Sequence, residues 1–429
     1  VADLHRKAEE LMARCRLVAA CTDTPGEITR LFCGPGIAKA NALVSGWMET
    51  AGMQVWMDAA GNLRGLYGPA ESPRLLIASH LDTVPNAGAF DGVLGVLMGI
   101  SLVELLGSRA APLPYSIEVI AFSEEEGVRF RAPFLGSLAL IGKLDEAKLA
   151  LRDASGKTAR QALEEFRAAS DQSPASEGLT LEEALVQAVA VPQSFAYFEI
   201  HIEQGPVLEA ERLAVSAVSG IVGQSRVALR FVGRANHAGT TPMRMRQDAL
   251  ASAAEFTVEV EKLARVTDGL VATVGRMETP GGTGNVVAGE ALATLDVRHA
   301  DDAVRVRAVN TLCSTALRCA ESRDVQVKTT ITMEQCAVPM NERLTNMLTE
   351  AARRVGYEAP VMTSGAGHDA MVVAPTLPAT MLFVRSPGGL SHHPEEEVLL
   401  QDLEAGLIVA QSFLDVLASD YAGAGARHG

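Results

Sequence analysis

The chain has 429 residues, of which 48% are hydrophobic and 21% charged, enough for two or three domains of roughly 100–200 residues each and a large core. Lys and Arg number 37 against 52 Asp and Glu, a formal net charge of −15, which argues against nucleic acid or an anionic membrane as partner. The six cysteines, Cys15, Cys21, Cys33, Cys313, Cys319 and Cys336, form no C-x-x-C pair. They read as scattered thiols of a reducing, cytoplasmic compartment rather than a disulfide framework or a thiolate zinc site.

The opening stretch, VADLHRKAEELMARC, is amphipathic and carries both charge signs, unlike a secretory signal. Short apolar runs bounded by Pro, Gly or Ser then predict buried strands: RLLIASH (74–80), SIEVIAF (116–122), AYFEIHI (196–202) and ATMLFVR (379–385). Between the first two, residues 92–106 predict an apolar helix whose glycines at 92, 95 and 99 would let it sit close on a sheet. Its core, 92–103, is too short to span a bilayer. Residues 150–190 are Ala-, Glu- and Gln-rich with a break at SDQSPASEG, and predict surface helices around a loop. From 218 to 333 the rhythm changes. Strands at 225–232, 270–277, 290–298 and 325–333, with helices at 247–263 and 302–322, spell β-α-β-β-α-β, a ferredoxin-like α+β unit. It interrupts a larger α/β domain, because the 379–385 strand still needs that domain's sheet. A helix at 344–355 follows, with Asn341 as cap and Gly356 as stop. The expected organisation is 1–217 and 334–422 for the larger domain, 218–333 for the insert, and a disordered tail at 423–429.

Polar residues gather at the carboxyl ends of the four large-domain strands, where open α/β sheets bind ligands. RLLIASH ends in His80, then Asp82; SIEVIAF runs into Glu124, Glu125 and Glu126; AYFEIHI contains His201, then Gln204; ATMLFVR leads to His392 and His393. Singly, a strand-end His is more often structural and three Glu are more often a solvated turn. Together they make a donor set suited to divalent ions, which accept imidazole and carboxylate. His80, Asp91, Glu126, His201 and His392 can supply ligands, with one bridging carboxylate lowering the repulsion between two ions. Glu125 is placed to be the proton-transferring base, and Asp82 to orient the His80 imidazole. The His392–His393 doublet leaves open which of the two binds.

The motifs SHLDTVPNAGAFDG (79–92), AFSEEEGVRF (121–130), HIEQGPVLE (201–209), NHAGTTPMRMRQDAL (236–250), SGAGHDA (364–370) and LSHHPEE (390–396) resemble, in order, those of hydantoinase/carbamoylase amidases. The resemblance implies a di-zinc aminopeptidase-like catalytic domain with an inserted dimerisation or lid domain. It implies two divalent ions, zinc before manganese or cobalt, with Asp91 bridging and His80 and His201 on opposite ions. It further implies Glu125 as general base, Gln204, Asn285 and Arg298 as contacts to a small carboxylate substrate, and a homodimer in which His237 reaches the partner subunit's site. Arg246 and Asp248 are expected to pair beside the His237 loop. Flanking stretches such as 34–65 and 117–137 lean toward allantoate amidohydrolases over N-carbamoyl-L-amino acid or ureidoglycolate hydrolases. Peptidases and aminoacylases share the metal core without HIEQGP and the Asn285–Arg298 pair. A non-catalytic binding protein on the same fold is expected to have lost ligands.

Overall fold

The computed structural model describes residues 2–107, 112–170 and 178–425. They fall into two compact units, Val1–Ser219 with Pro339–Gly429, and Gly220–Val338. The second crossing between units lies beyond residue 333 because the last strand of the insert runs on to Gln335.

The first unit is built on a nine-stranded mixed sheet. Through its central part the order is Leu63–Tyr67, Ser116–Phe122, Arg74–His80, Ser194–Ile202, Ala379–Val384 and Val215–Ile221. The four middle strands are the four predicted ones. They are consecutive neighbours and all parallel, so their carboxyl ends share one edge. Their residues are buried on both faces, as expected of parallel strands covered by helices.

Helix Val93–Leu106 lies on this sheet with every residue but Glu104 buried. Each fully buried Leu, Ile or Val is worth about 1.5–3 kcal/mol. The close approach depends on Gly95, where a Cβ would overlap the Ile200 carbonyl oxygen. Gly92, at φ +68°, makes the turn into the helix, and a Cβ there would come within 2.5 Å of the His80 ring. Helix Glu342–Arg354 is capped by Asn341, whose side chain accepts from Leu344 N at 3.1 Å.

Several elements of the first unit were not predicted, among them helix Pro35–Thr50 and strand Val215–Ile221. The antiparallel pair Gln54–Met57 and Leu63–Tyr67 extends the sheet. It carries Arg64, which is buried against Glu118 at 2.6 Å, and Glu118 in turn meets Arg74 at 2.8 Å. The final helix, Leu400–Gly425, runs into the stretch expected to be a disordered tail from 423; residues 426–429 lie outside the described residues. So does most of the SDQSPASEG break, at 171–177. The helices on either side of it, Ala159–Ala168 and Leu181–Ala188, both begin with capping boxes, at Thr158/Gln161 and Thr180/Glu183.

The second unit is a four-stranded antiparallel sheet in the order Gln326–Gln335, Gly223–Val232, Glu290–His299, Val271–Glu278. Helices Ala249–Val266 and Asp302–Glu321 cover one face. Alternate residues Val227, Leu229 and Phe231 on one strand and Ala291, Ala293, Leu295 and Val297 on its neighbour form that core. This is the predicted ferredoxin-like arrangement. Among the described residues no helix is long and apolar enough to cross a membrane.

Candidate metal centre

Three overlapping groups of donor atoms, each within 4.8 Å of one another, lie at the carboxyl edge of the parallel strands: His80, Asp91 and His201; His80, Glu125 and Glu126; and Asp91, Glu126 and His392. Asp91 is the centre of the arrangement. Its Oδ1 lies 3.2 Å from His201 Nε2 and 3.8 Å from His80 Nε2, and its Oδ2 lies 3.2 Å from His392 Nε2. His392 Nε2 is also 3.6 Å from Glu126 Oε1.

The imidazoles are aimed from behind. His80 Nδ1 faces the Asp82 carbonyl at 3.0 Å and His201 Nδ1 faces the Ile202 carbonyl at 2.9 Å. Each Nδ1 is thereby the N–H side of its ring, and each Nε2 turns a lone pair inward. The two Nε2 atoms are 3.4 Å apart. Two lone pairs at that distance, beside a carboxylate, require a positive charge among them. The spacing suits two ligands of one tetrahedral ion, about 3.3 Å apart when each bond is about 2.0–2.1 Å. The residues therefore fit a divalent cation.

In the absence of a cation the same field acts on protons. Burial opposes ionisation of Asp91, yet His201 and His392 hold its carboxyl well below the usual range. Asp91 pulls His392 up to about 9. Burial, with Asp91 beside it, lifts Glu126 to about 7. Burial also pushes Glu125 well above an ordinary Glu, with His80 opposing and Glu126 adding to the rise. Protons and divalent ions thus compete for the same positions.

Asp82 does more than orient His80. Its carboxylate lies 3.5 Å from His80 Nδ1, farther than its own carbonyl does. Its Oδ1 accepts the Glu125 N–H at 3.0 Å and its Oδ2 the Glu126 N–H at 2.9 Å. One side chain after the first strand thus fixes the backbone of both glutamates after the second. Gln204, at φ +58°, directs its Nε2 to both Asp91 oxygens, at 3.2 and 3.1 Å, and to Ser391 Oγ at 3.1 Å. The structure brings His392, not His393, to the cluster; His393 Nδ1 instead accepts the Glu395 N–H at 3.2 Å.

Three further residues surround the site. Sequence reading assigns no role to Glu396 or Ser391, and takes His368, in the SGAGHDA motif, as family-typical and no less suited to a structural role. Glu396 is buried, and its Oε1 accepts the N–H groups of Phe90 and Asp91, both at 3.0 Å. Ser391 Oγ stands 3.2 Å from both Asp91 Oδ2 and Glu396 Oε2. His368 presents its ring edge to His201, centroids 4.4 Å apart, with Nε2 2.9 Å from Ser364 Oγ. Burial, then His201, holds His368 well below the usual imidazole range and so neutral. The only sequence signal for Glu396 and Ser391 was their place in the motif around His392.

The other predicted residues belong to the second unit. His237 pairs with Val286 across a short two-stranded ladder, next to Asn285, and its Nδ1 accepts the Gly239 N–H at 3.1 Å. Asn285 Oδ1 accepts from Thr283 at 3.1 Å. Arg298, half-buried on the Glu290–His299 strand, grips Asp296 through Nε at 2.8 Å and a terminal nitrogen at 3.2 Å. Arg246 does not pair with Asp248. It donates to the carbonyls of Thr241 and Ala238, at 3.1 and 2.6 Å, while Asp248 caps helix Ala249–Val266.

Imidazoles and carboxylates converging at the carboxyl edge of a parallel sheet define a metal-dependent hydrolase. Residues 76–415 match the peptidase family M20/M25/M40, and the chain belongs to that family. It is 37% identical to the probable allantoate deiminase of Oryza sativa subsp. japonica, covering 97% of this chain and 90% of that one. It is also 37% identical to the N-carbamoyl-L-amino acid amidohydrolase of Geobacillus stearothermophilus, over 89% of this chain and 91% of that one. Among solved structures it resembles a hydantoinase/carbamoylase family amidase from Burkholderia multivorans, with a TM-score of 0.86 and 31% identity over 95% of this chain and 97% of that one.

Proposed function

We propose that the chain hydrolyses the ureido C–N bond of a small carboxylate, allantoate, at a centre of two divalent ions. The observation that carries the reading is the pair of Nε2 atoms 3.4 Å apart beside Asp91. Asp91 would bridge, with His80 and His201 on one ion and Glu126 and His392 on the other. Zinc suits this donor set, as do manganese and cobalt. When bound, the ions would polarise the carbamoyl oxygen and lower the pKa of the attacking water.

Glu125 takes the water's proton and passes it to the leaving nitrogen. Asp82 holds Glu125 in place through its backbone N–H. Breaking the bond between the carbamoyl carbon and the retained nitrogen leaves carbamic acid, which falls apart to ammonia and carbon dioxide. Gln204, Asn285 and Arg298 bind the substrate's amide and carboxylate, the last exchanging Asp296 for the substrate's fork of oxygens. His237 polarises the carbonyl in the partner subunit of a homodimer.

Allantoate is preferred because the rice relative matches across 97% of this chain. The carbamoylase reaches the same identity over 89% and supports a second reading, an N-carbamoyl-L-amino acid hydrolase. Comparing kcat/KM on allantoate, ureidoglycolate and a panel of N-carbamoyl-L-amino acids separates them. A higher value on a carbamoyl amino acid reverses the assignment.

A further inference from the structure

We infer that Glu396 is a positioning residue that ties together the two loops carrying Asp91 and His392, and so sets the affinity of the second ion. The inference rests on the reading of Asp91 and His392 as ligands.

Glu396 is 3% exposed. Its Oε1 takes two backbone N–H groups, from Phe90 and Asp91, at 3.0 Å each, and its Oε2 meets Ser391 Oγ at 3.2 Å. These contacts join the loop after strand Arg74–His80 to the loop after strand Ala379–Val384. The fit is built on both sides. Gly88 lies against Glu396, and a Cβ there would overlap the Glu396 side chain.

Both loops need such a tie. Asp91 precedes Gly92, at φ +68°, where the chain turns into the helix; the Leu94 and Val93 N–H groups hold the carbonyls of Phe90 and Asp91 at 2.9 and 2.7 Å, while the Asp91 N–H itself is held by Glu396. His392 holds φ +56°, a left-handed conformation that a residue with a Cβ keeps only when its surroundings impose it. Ser391, immediately before it, stands within 3.2 Å of both Asp91 Oδ2 and Glu396 Oε2. Glu396 touches no donor atom of the metal groups. Its effect passes through the Asp91 backbone and the Ser391 hydroxyl, the kind of outer contact whose loss costs metal affinity.

The role is geometric, so the length of the side chain decides it. Glu396→Asp keeps the charge but retracts the carboxylate from the two N–H groups. Glu396→Gln keeps the reach and an acceptor for them. The test is titration of chelator-treated full-length protein with cobalt(II), followed by visible absorption and equilibrium dialysis, with melting curves of the metal-free proteins alongside. Wild type should take two cobalt ions per chain. Glu396→Ala and Glu396→Asp should bind the second ion roughly 10–100-fold more weakly, and Glu396→Gln should recover most of that loss. A residue serving only to cap the following helix would lower the metal-free melting temperature and leave cobalt affinity alone. Wild-type affinity for the second ion in the Asp variant, which stands in should the Ala variant fail to fold, overturns the inference. Equal losses in the Asp and Gln variants also overturn it. A wild type that takes up no cobalt instead sinks the metal-centre reading itself.

Discussion

Asp82→Asn separates what the buried carboxylate does for the ion from what it does for the fold. In the wild type its two oxygens accept the N–H groups of Glu125 and Glu126 at 3.0 and 2.9 Å. Asparagine offers one oxygen and one NH2, so one of those backbone donors faces another donor. The lost bond is of the charge-assisted kind, worth about 1.5–3 kcal/mol. If that loss falls on the placement of Glu126, metal affinity drops about 10- to 150-fold, at about 1.4 kcal/mol per tenfold. The metal-free protein should respond differently. Asp82 adds to the repulsion that raises Glu124 and Glu125, and the substitution relieves it, offsetting the lost bond. Chelator competition measures the affinity, and thermal unfolding with and without metal measures the stability. The expected signature is a smaller metal-induced rise in Tm with little change in the metal-free Tm. Wild-type metal affinity in Asp82→Asn would refute the reasoning.

Glu125→Gln should retain metal and lose about 10²–10⁴ in kcat; metal analysis beside steady-state kinetics checks it, and near-wild-type turnover would show Glu125 is not the base. Metal affinity should fall as pH drops. In the metal-free protein His392 is raised to about 9 and Glu126 to about 7, so each takes up its proton as pH descends through that value, and binding must displace it. An apparent Kd flat between pH 9 and 6 would contradict this. Gly95→Ala forces a Cβ onto the Ile200 carbonyl and should cost about 1–3 kcal/mol, seen as a Tm lower by about 2–12 °C; an unchanged melt would mean the helix shifts freely. Arg298→Ala should lower kcat/KM on a carboxylate substrate by about 10- to 150-fold, and unchanged kinetics would place the clamp elsewhere.

The four parallel strands were legible because each is a continuous apolar run ending in chemistry, and the alternation of helix and strand in 218–333 announced the insert. The Gln54–Met57 and Leu63–Tyr67 pair was not, since Arg64 and Gly65 interrupt its pattern. Only the fold reveals that Arg64 is buried against Glu118. Within the site, residue types and motif order pointed to the donors. They did not show that His80 and His201, 121 residues apart in the chain, are brought side by side. Nor does any pattern encode Glu396, whose partners are backbone N–H groups 305 and 306 residues earlier in the chain.

Strand Ala379–Val384 is not at an edge of its sheet. It sits between Ser194–Ile202 and Val215–Ile221, paired with both. A nascent chain leaving the ribosome therefore has two neighbours with no strand between them until most of its length has been made. Both face the gap with unpaired backbone, a template for pairing with the wrong chain. The strand that fills the gap leads directly into His392. Truncation before residue 379 thus removes an imidazole and leaves an open slot through the middle of the sheet, and such fragments should aggregate rather than accumulate as a smaller enzyme.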